Sequence, residues 1–102
     1  MGIDVHLTDE FGAMIEAIGD PMGLLLPLLP QEDDPAYPLL ESIDPYGNTV
    51  FNRTQMKRFL QEWRYVVSQA QSAKARDLIE AVERMASRCQ REPHTYLTFI
   101  GD

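Results

Sequence analysis

Two amphipathic segments in the second half of the chain constrain its fold more than any other feature. Apolar residues recur at helical spacing from about 53 to 71, and again from about 73 to 91. Asn52 followed by Gln55 matches a capping box, and Ser72 can cap the second helix. The short break predicts that the helices pack as an antiparallel pair or continue with a kink. Their apolar stripes are Met56, Phe59, Leu60, Trp63, Val66, Val67 and Ala70, then Leu78, Ile79, Val82, Met85, Ala86 and Cys89.

Strand-like alternation marks both ends of the chain. Ile3, Val5 and Leu7 alternate with polar residues, and after a turn residues 13–18 form a second strand or one helical turn, of which we favour the strand. Pro93 ends the second helix, and the residues after it alternate as a final strand. The sequence therefore predicts an α+β fold, in which a small antiparallel sheet (an N-terminal hairpin plus a C-terminal strand) is covered on one face by two long helices.

The chain of 102 residues fits a single domain, because a chain of this length builds one core. Residues 20–48 form an irregular segment within it that holds six of the seven prolines. Asp20 and Asp34, each followed by proline, are predicted to begin short helical turns. Residues 39–43 are predicted as a third strand. The leucines of residues 24–29 are expected to fold onto the core as a lid, with a partner-binding patch as the alternative.

The charges are distributed unequally along the chain. Residues 1–52 carry ten acids and no Lys or Arg, a balance of -10, whereas residues 53–102 carry six acids and nine bases, a balance of +3, which together give the net charge of -7. Nucleic acids and anionic membranes both require a basic surface, so neither is expected as a partner. A basic protein is the simplest complement, and the alternative is that the acids only keep the chain soluble.

No spacing typical of catalysis or of a metal site occurs in the chain. Neither C-x-x-C nor H-x-x-x-H is present, and the glycines form no phosphate-binding loop. Cys89 lies on the apolar stripe of a helix, which predicts a buried thiol rather than a nucleophile. We therefore expect no catalytic residue, no cofactor and no bound metal. The chain also lacks an apolar run of about 20 residues and a basic leader, which predicts a soluble, cytoplasmic protein.

Two sets of residues are candidates for binding. The first combines acids with tyrosines, a composition that suits a partner rich in lysine or arginine. The second lies on the sheet face that the helices leave open, where Asp4, His6 and His94 would converge if the terminal strands pair. The predicted partner-binding residues are Glu32, Asp33, Asp34, Tyr37, Asp44 and Tyr46, and the alternative ligand-binding residues are Asp4, His6, His94 and Tyr96.

Three segments of the chain form a signature. Residues 44–53 have the sequence DPYGNTVFNR, residues 2–5 have the sequence GIDV, and residues 96–102 have the sequence YLTFIGD. In these segments the chain resembles a group of small uncharacterised bacterial proteins. The resemblance implies a bacterial, cytoplasmic protein and carries over no functional residue.

These observations together predict a small acidic protein-interaction module that binds a basic partner. Its concrete form would be an inhibitor or immunity protein that covers a cationic active site, by analogy of size and charge. The alternative function is a small-molecule or metal-binding protein that uses the open face of the sheet.

Overall fold

The structure, a computed structural model, describes residues 2–30 and 34–101 of the chain. In this part of the chain the strands and helices are arranged as the predicted α+β fold. The strands are β1 (Asp4–Asp9), β2 (Met14–Ile18), β3 (Asn48–Asn52) and β4 (Thr95–Ile100), and the α-helices are α1 (Pro38–Glu41), α2 (Met56–Gln69) and α3 (Ala73–Arg91). Single turns of 3-10 helix lie at Leu26–Leu28 and at Arg53–Gln55.

The strands form one antiparallel sheet in the order β2-β1-β4-β3. The terminal strands β1 and β4 lie side by side at its centre, as predicted, with His6 opposite Thr98. β2 pairs with the other side of β1, which confirms the N-terminal hairpin. Asp9 closes the hairpin turn, because its Oδ1 accepts hydrogen bonds of 2.9 Å from the backbone N–H groups of Phe11 and Ala13.

The two long helices begin at the predicted caps. Asn52 Oδ1 accepts a hydrogen bond of 3.1 Å from the backbone N–H of Gln55, whose side chain accepts one of 2.8 Å from the backbone N–H of Asn52. Ser72 Oγ accepts a hydrogen bond of 3.1 Å from the N–H of Ala75 at the start of α3. Each cap satisfies backbone donors that the first helical turn leaves without an intrahelical partner.

Aromatic side chains form the centre of the core between the sheet and the helices. Trp63 is fully buried, stacks on Phe59 with ring centroids 5.3 Å apart, and donates a hydrogen bond of 3.1 Å from Nε1 to the carbonyl of Ile79. Phe51 of β3 and Phe99 of β4 pack against Phe59 at 5.4 and 5.7 Å. Other buried members of the same core are Val5, Leu7, Leu97, Met56, Val66, Val82, Met85 and Cys89.

The predicted third strand is wrong. Residues 39–43 lie in and just after α1, and the third strand forms later, at Asn48–Asn52. Pro38 occupies the first turn of α1, where its missing N–H costs nothing. The N–H groups of the next two residues donate to Glu62 of α2, each at 3.0 Å. A carboxylate distant in sequence therefore supports the helix, and the local pattern of residues 39–43 does not contain that information.

Asp20 and Asp34 organise turns, and the helical turns predicted to begin at them do not form there. Asp20 is 2% exposed, and its carboxylate accepts hydrogen bonds of 2.8 and 2.9 Å from the N–H groups of Leu24 and Leu25. Asp34 accepts one of 2.9 Å from the N–H of Ala36. Asparagine and aspartate often bond their own downstream backbone in this way, and such turns compete with helix formation.

The leucines of residues 24–29 pack onto the core, which confirms the predicted lid. Leu25 and Leu29 are buried, and the neighbouring leucines are partly buried against the same cluster. Burying these side chains stabilises the irregular segment, at about 1.5–3 kcal/mol for a fully buried leucine. The partly buried members are Leu24, Leu26 and Leu28.

The three signature segments contribute adjacent strands, β1, β4 and β3. Gly101, just after β4, donates a hydrogen bond of 2.7 Å to the carbonyl of Gly47. A Cβ atom at position 101 would lie 2.4 Å from the carbonyl atoms of Pro45, so only glycine permits this close approach. The turn before β3 therefore packs closely against the end of β4.

Candidate functional site

The sheet face opposite the helices is covered by no element in the described part of the chain. On it His6 lies opposite Thr98, and Thr8 lies opposite Tyr96. Met14 is 53% and Val50 is 57% exposed, so apolar groups contact solvent here. We define the open face by Asp4, His6, Thr8, Met14, Ala17, Val50, Tyr96, Thr98 and Ile100.

The four predicted ligand-binding residues do not converge. Asp4, His6 and Tyr96 belong to the open face, but His94 precedes β4 and has a φ of 61°. Its Nδ1 lies 3.5 Å from Oε2 of Glu10 in the hairpin turn, at the opposite end of β1 from Asp4. At about 3.4 Å per residue, the strand separates these ends by roughly 17 Å. Among residues 2–30 and 34–101, no group of three or more His, Cys, Asp or Glu side chains could hold a metal ion.

The described members of the predicted partner-binding set lie in separate places. Glu32 and Asp33 are outside the described residues. Tyr37 is half-buried against Tyr65, with ring centroids 4.8 Å apart. Asp44 is exposed and accepts a hydrogen bond of 2.8 Å from the N–H of Tyr46, whose side chain is 74% exposed. Asp34, as described above, bonds its own turn, so the structure groups only Asp44 with Tyr46.

Most acids in the first half of the chain bind backbone N–H groups. In the described part of that half, a single ion pair reaches the helices, between Glu16 and Arg88 at 3.2 Å. The arginines of α2 and α3 therefore leave the other acids uncompensated. The acids that accept a backbone hydrogen bond are Asp4, Asp9, Asp20, Asp34, Glu41 and Asp44.

Lysine and arginine are confined to the helix layer. The nine of them lie between residues 53 and 91, and the four strands contain none. Asp4 lies on the open face, and Asp9 and Glu10 lie at the hairpin end of the same strand. The sheet layer is consequently the negative side of the domain, and the helix layer carries its positive charges.

Glu62 is a buried carboxylate that the sequence analysis missed. It is 2% exposed, and besides supporting α1 it accepts a hydrogen bond of 2.9 Å from Arg58 Nε. Arg58 also donates to the carbonyl of Ala36 at 3.1 Å. The i, i+4 spacing of Arg58 and Glu62 is typical of an exposed ion pair. The position of Glu62 in the sequence does indicate burial, because Glu62 lies three residues after Phe59 and four before Val66 on the apolar stripe.

The Cys89 thiol is fully buried, which agrees with its predicted place on the apolar stripe. Burial raises its pKa, which disfavours the nucleophilic thiolate. The thiol lies 3.6 Å from the carbonyl of Thr95, and Thr95 Oγ1 donates in turn to the carbonyls of Cys89 and Glu92 at 3.1 and 2.8 Å. The thiol thus belongs to the contact between α3 and β4.

We expect Cys89 in the native protein to react with a disulfide reagent at least about 100-fold more slowly than in urea, because the buried thiol must first be exposed. The time course of thionitrobenzoate release at pH 8 measures this difference. Native and denatured rates within about threefold of each other would contradict the burial of this side chain.

No known protein family matches this chain, and no curated protein or solved structure is significantly similar to it. Within the described residues, no helix has both the length and the apolar character needed to span a bilayer.

Proposed function

We propose that this chain is a protein-interaction module that holds a cationic segment of a partner against the open face. The supporting observation is the separation of charge between the two layers, because the sheet layer carries acids and no Lys or Arg. A cationic partner is attracted to this side and repelled by the helix layer. This electrostatic difference selects the sheet side for docking.

The composition of the open face suits such a contact. Tyr96 and the exposed Val50 and Met14 offer apolar area, while Thr8 and Thr98 offer hydroxyl groups to a partner's backbone. Aromatic rings also attract lysine and arginine side chains. Carboxylates lie at both ends of the face, at Asp4 and Asp44 on one side and at Asp9 and Glu10 on the other.

A protein partner also fits the arrangement of residues on the open face. The described part of the chain shows no convergent metal ligands, and the predicted ligand-binding residues are spread along β1 and β4. Residues spread in this way fit a macromolecule better than a small ligand, which normally requires groups that converge in a concave pocket. An inhibitor or immunity protein that covers a cationic active site remains the concrete form of the proposal.

A charge introduced at the centre of the open face tests this proposal. The probe is a lysine-rich dodecapeptide with a fluorescent label, and its Kd is measured by anisotropy at low ionic strength. We expect Thr98→Arg to weaken binding by about tenfold or more, because the new cation lies between His6 and Val50 where the peptide docks. His6→Lys provides a second variant on the same face, and circular dichroism verifies that each variant is folded.

Gln61→Arg is the matched control, because it adds the same charge at an exposed position of α2. Its Kd should stay within about twofold of the original value, since the helix layer does not touch the peptide. Equal weakening by Gln61→Arg and Thr98→Arg would mean that only the net charge attracts the peptide. That outcome would refute docking on the open face.

A further inference from the structure

The edge strand β2 has neither lysine nor proline to prevent strand addition, and the irregularity in its pairing with β1 is confined to one extra residue, Ile15. In the described residues it pairs only with β1, so its other side faces no strand. Its sequence MIEAI contains no Lys or Pro, and Met14 is more than half exposed. Natural sheets commonly protect such edges with lysine, proline or a covering element. An unprotected edge can accept an additional extended segment through backbone hydrogen bonds.

A groove runs between this edge and α3. It continues along α3 toward the end of the helix, where its wall contains Arg84, Arg88 and Arg91 together with the carboxylates of Glu16 and Glu83. An extended segment paired with β2 would therefore direct alternate side chains into a groove that already exists. The groove beside the strand is lined by Glu16, Ala17, Ile18, Ala81, Arg84 and Met85.

Three arginines form a row along this groove. Arg84, Arg88 and Arg91 have the i, i+4, i+7 spacing that places side chains on one helix face. Arg88 is engaged by Glu16 at 3.2 Å and by Glu92 at 2.5 Å. In the described part of the chain, Arg84 and Arg91 have no ion-pair partner, so two guanidinium groups are available at the wall of the groove.

We infer that the groove between β2 and α3 binds an extended acidic segment of a partner protein. The segment adds to the β2 edge, and its carboxylates pair with Arg84 and Arg91. Alternate residues of a strand are about 6.8 Å apart, and the rise of an α-helix separates Arg84 from Arg88 by about 6 Å and from Arg91 by about 10.5 Å. Acids at alternate positions therefore match the spacing of Arg84 and Arg88. An acid four residues from the one beside Arg84 lies about 3 Å beyond Arg91 along the helix axis, within the reach of the Arg91 side chain.

A second copy of this chain fits the groove between β2 and α3 less well than an acidic segment of another protein. Its edge strands offer Glu16 in β2 and no acid in β3, so they do not present acids at alternate positions. Four of its other acids, Asp9, Asp20, Asp34 and Asp44, are held in turns by the backbone bonds described above. The inference does not depend on the proposed function, because it concerns a different surface and a ligand of opposite charge.

The test uses an octapeptide of alternating threonine and glutamate, with alternating threonine and lysine as the charge-reversed control. Titration into ¹⁵N-labelled protein should shift amide resonances of residues 14–18 and 81–91, and the lysine peptide should leave those of residues 81–91 unchanged. Arg84→Glu combined with Arg91→Glu should raise the Kd by about tenfold or more. Arg76→Glu, at an exposed position of α3 that does not line the groove, should change it by less than about twofold.

N-methylation of the peptide tests the backbone pairing without altering the protein. Methyl groups on the alternate amides that face β2 should abolish binding, whereas methyl groups on the other amides should not. Equal binding of both methylated peptides, or amide shifts in β3 and β4 without shifts at residues 81–91, would refute strand addition at β2. Self-association in ultracentrifugation that is abolished by Arg84→Glu would show that the occupant is a second copy, and this would overturn the inference.

Discussion

Glu62→Ala is expected to lower the free energy of unfolding by about 3 kcal/mol. The substitution removes the acceptor of the backbone N–H groups of Leu39 and Leu40, and Leu40 is buried too deeply for water to replace it. A buried donor without a partner costs about 1–3 kcal/mol. Arg58 also loses the carboxylate at 2.9 Å, although half of its side chain is exposed and this part of the loss is small. Urea unfolding at neutral pH measures the change.

Glu62→Gln separates the hydrogen bonds to the backbone from the ion pair with Arg58. The carbonyl oxygen of the glutamine can still accept the N–H groups of Leu39 and Leu40. Glu62→Gln should therefore lower the free energy of unfolding by less than half as much as Glu62→Ala. Hydrogen exchange should be faster at the amides of Leu39 and Leu40 in Glu62→Ala than in Glu62→Gln. Glu80→Ala, at an exposed position of α3, is the control and should change stability by less than about 0.5 kcal/mol. An equally small effect of Glu62→Ala would show that α1 does not depend on this carboxylate.

Trp63→Ala is expected to have the largest effect of any single substitution considered, a loss of about 4 kcal/mol. The ring is fully buried, stacks on Phe59 and lies 6.3 Å from Phe99, so its removal leaves a cavity between the sheet and the helices. Trp63→Phe should cost less, about 2 kcal/mol, because most of the ring contacts remain and the hydrogen bond to Ile79 is lost. Far-UV circular dichroism follows unfolding, since the substitutions remove the fluorescent probe.

Val67→Ala is the matched control for the core, because it shortens a 44% exposed side chain on the same helix. We expect it to cost less than about 1 kcal/mol. A similar loss in Val67→Ala and Trp63→Ala would contradict the observed orientation of α2. The sequence alone placed Val67 on the buried stripe, so this pair of variants also distinguishes the helical pattern from the folded structure.

The two long helices and their starting points were predictable from the sequence because they depend on nearby residues. The capping box joins Asn52 to Gln55, and Ser72 caps α3 within its own first turn. The period of the apolar residues predicts which side of each helix is buried, but it does not predict how many residues that side includes. It therefore assigned Val67, which is 44% exposed, to the core, and it did not include Glu62, which is 2% exposed.

The irregular segment of residues 20–48 was predicted less well, because its structure depends on contacts with distant residues. Residues 39–43 combine the helix formers leucine and glutamate with a β-branched isoleucine, and contact with Glu62 of α2 supports the helix. Val50 and Phe51 instead form part of a strand, where Phe51 packs on the aromatic core. Both outcomes depend on residues distant in the chain.

The candidate binding surfaces were also predictable from the sequence only in part. Alternation along β1 and β4 was sufficient to place His6, Thr98 and Tyr96 on one face. His94 follows the same parity, but its positive φ removes it from the strand. The groove beside β2 could not be found from the pattern, because it requires the edge of the sheet and α3 to be adjacent.

The sequence by itself determined the two amphipathic helices, their caps, the alternating terminal strands and the absence of Lys and Arg before residue 53. These features are local or compositional, so no contact between distant residues is needed to define them. The tertiary structure decided the order of the strands, the helix at Pro38–Glu41, the burial of Glu62 and the row of arginines beside β2. Each of these arises only when distant segments pack, because packing determines which polar groups lose water and which ones then form hydrogen bonds or ion pairs.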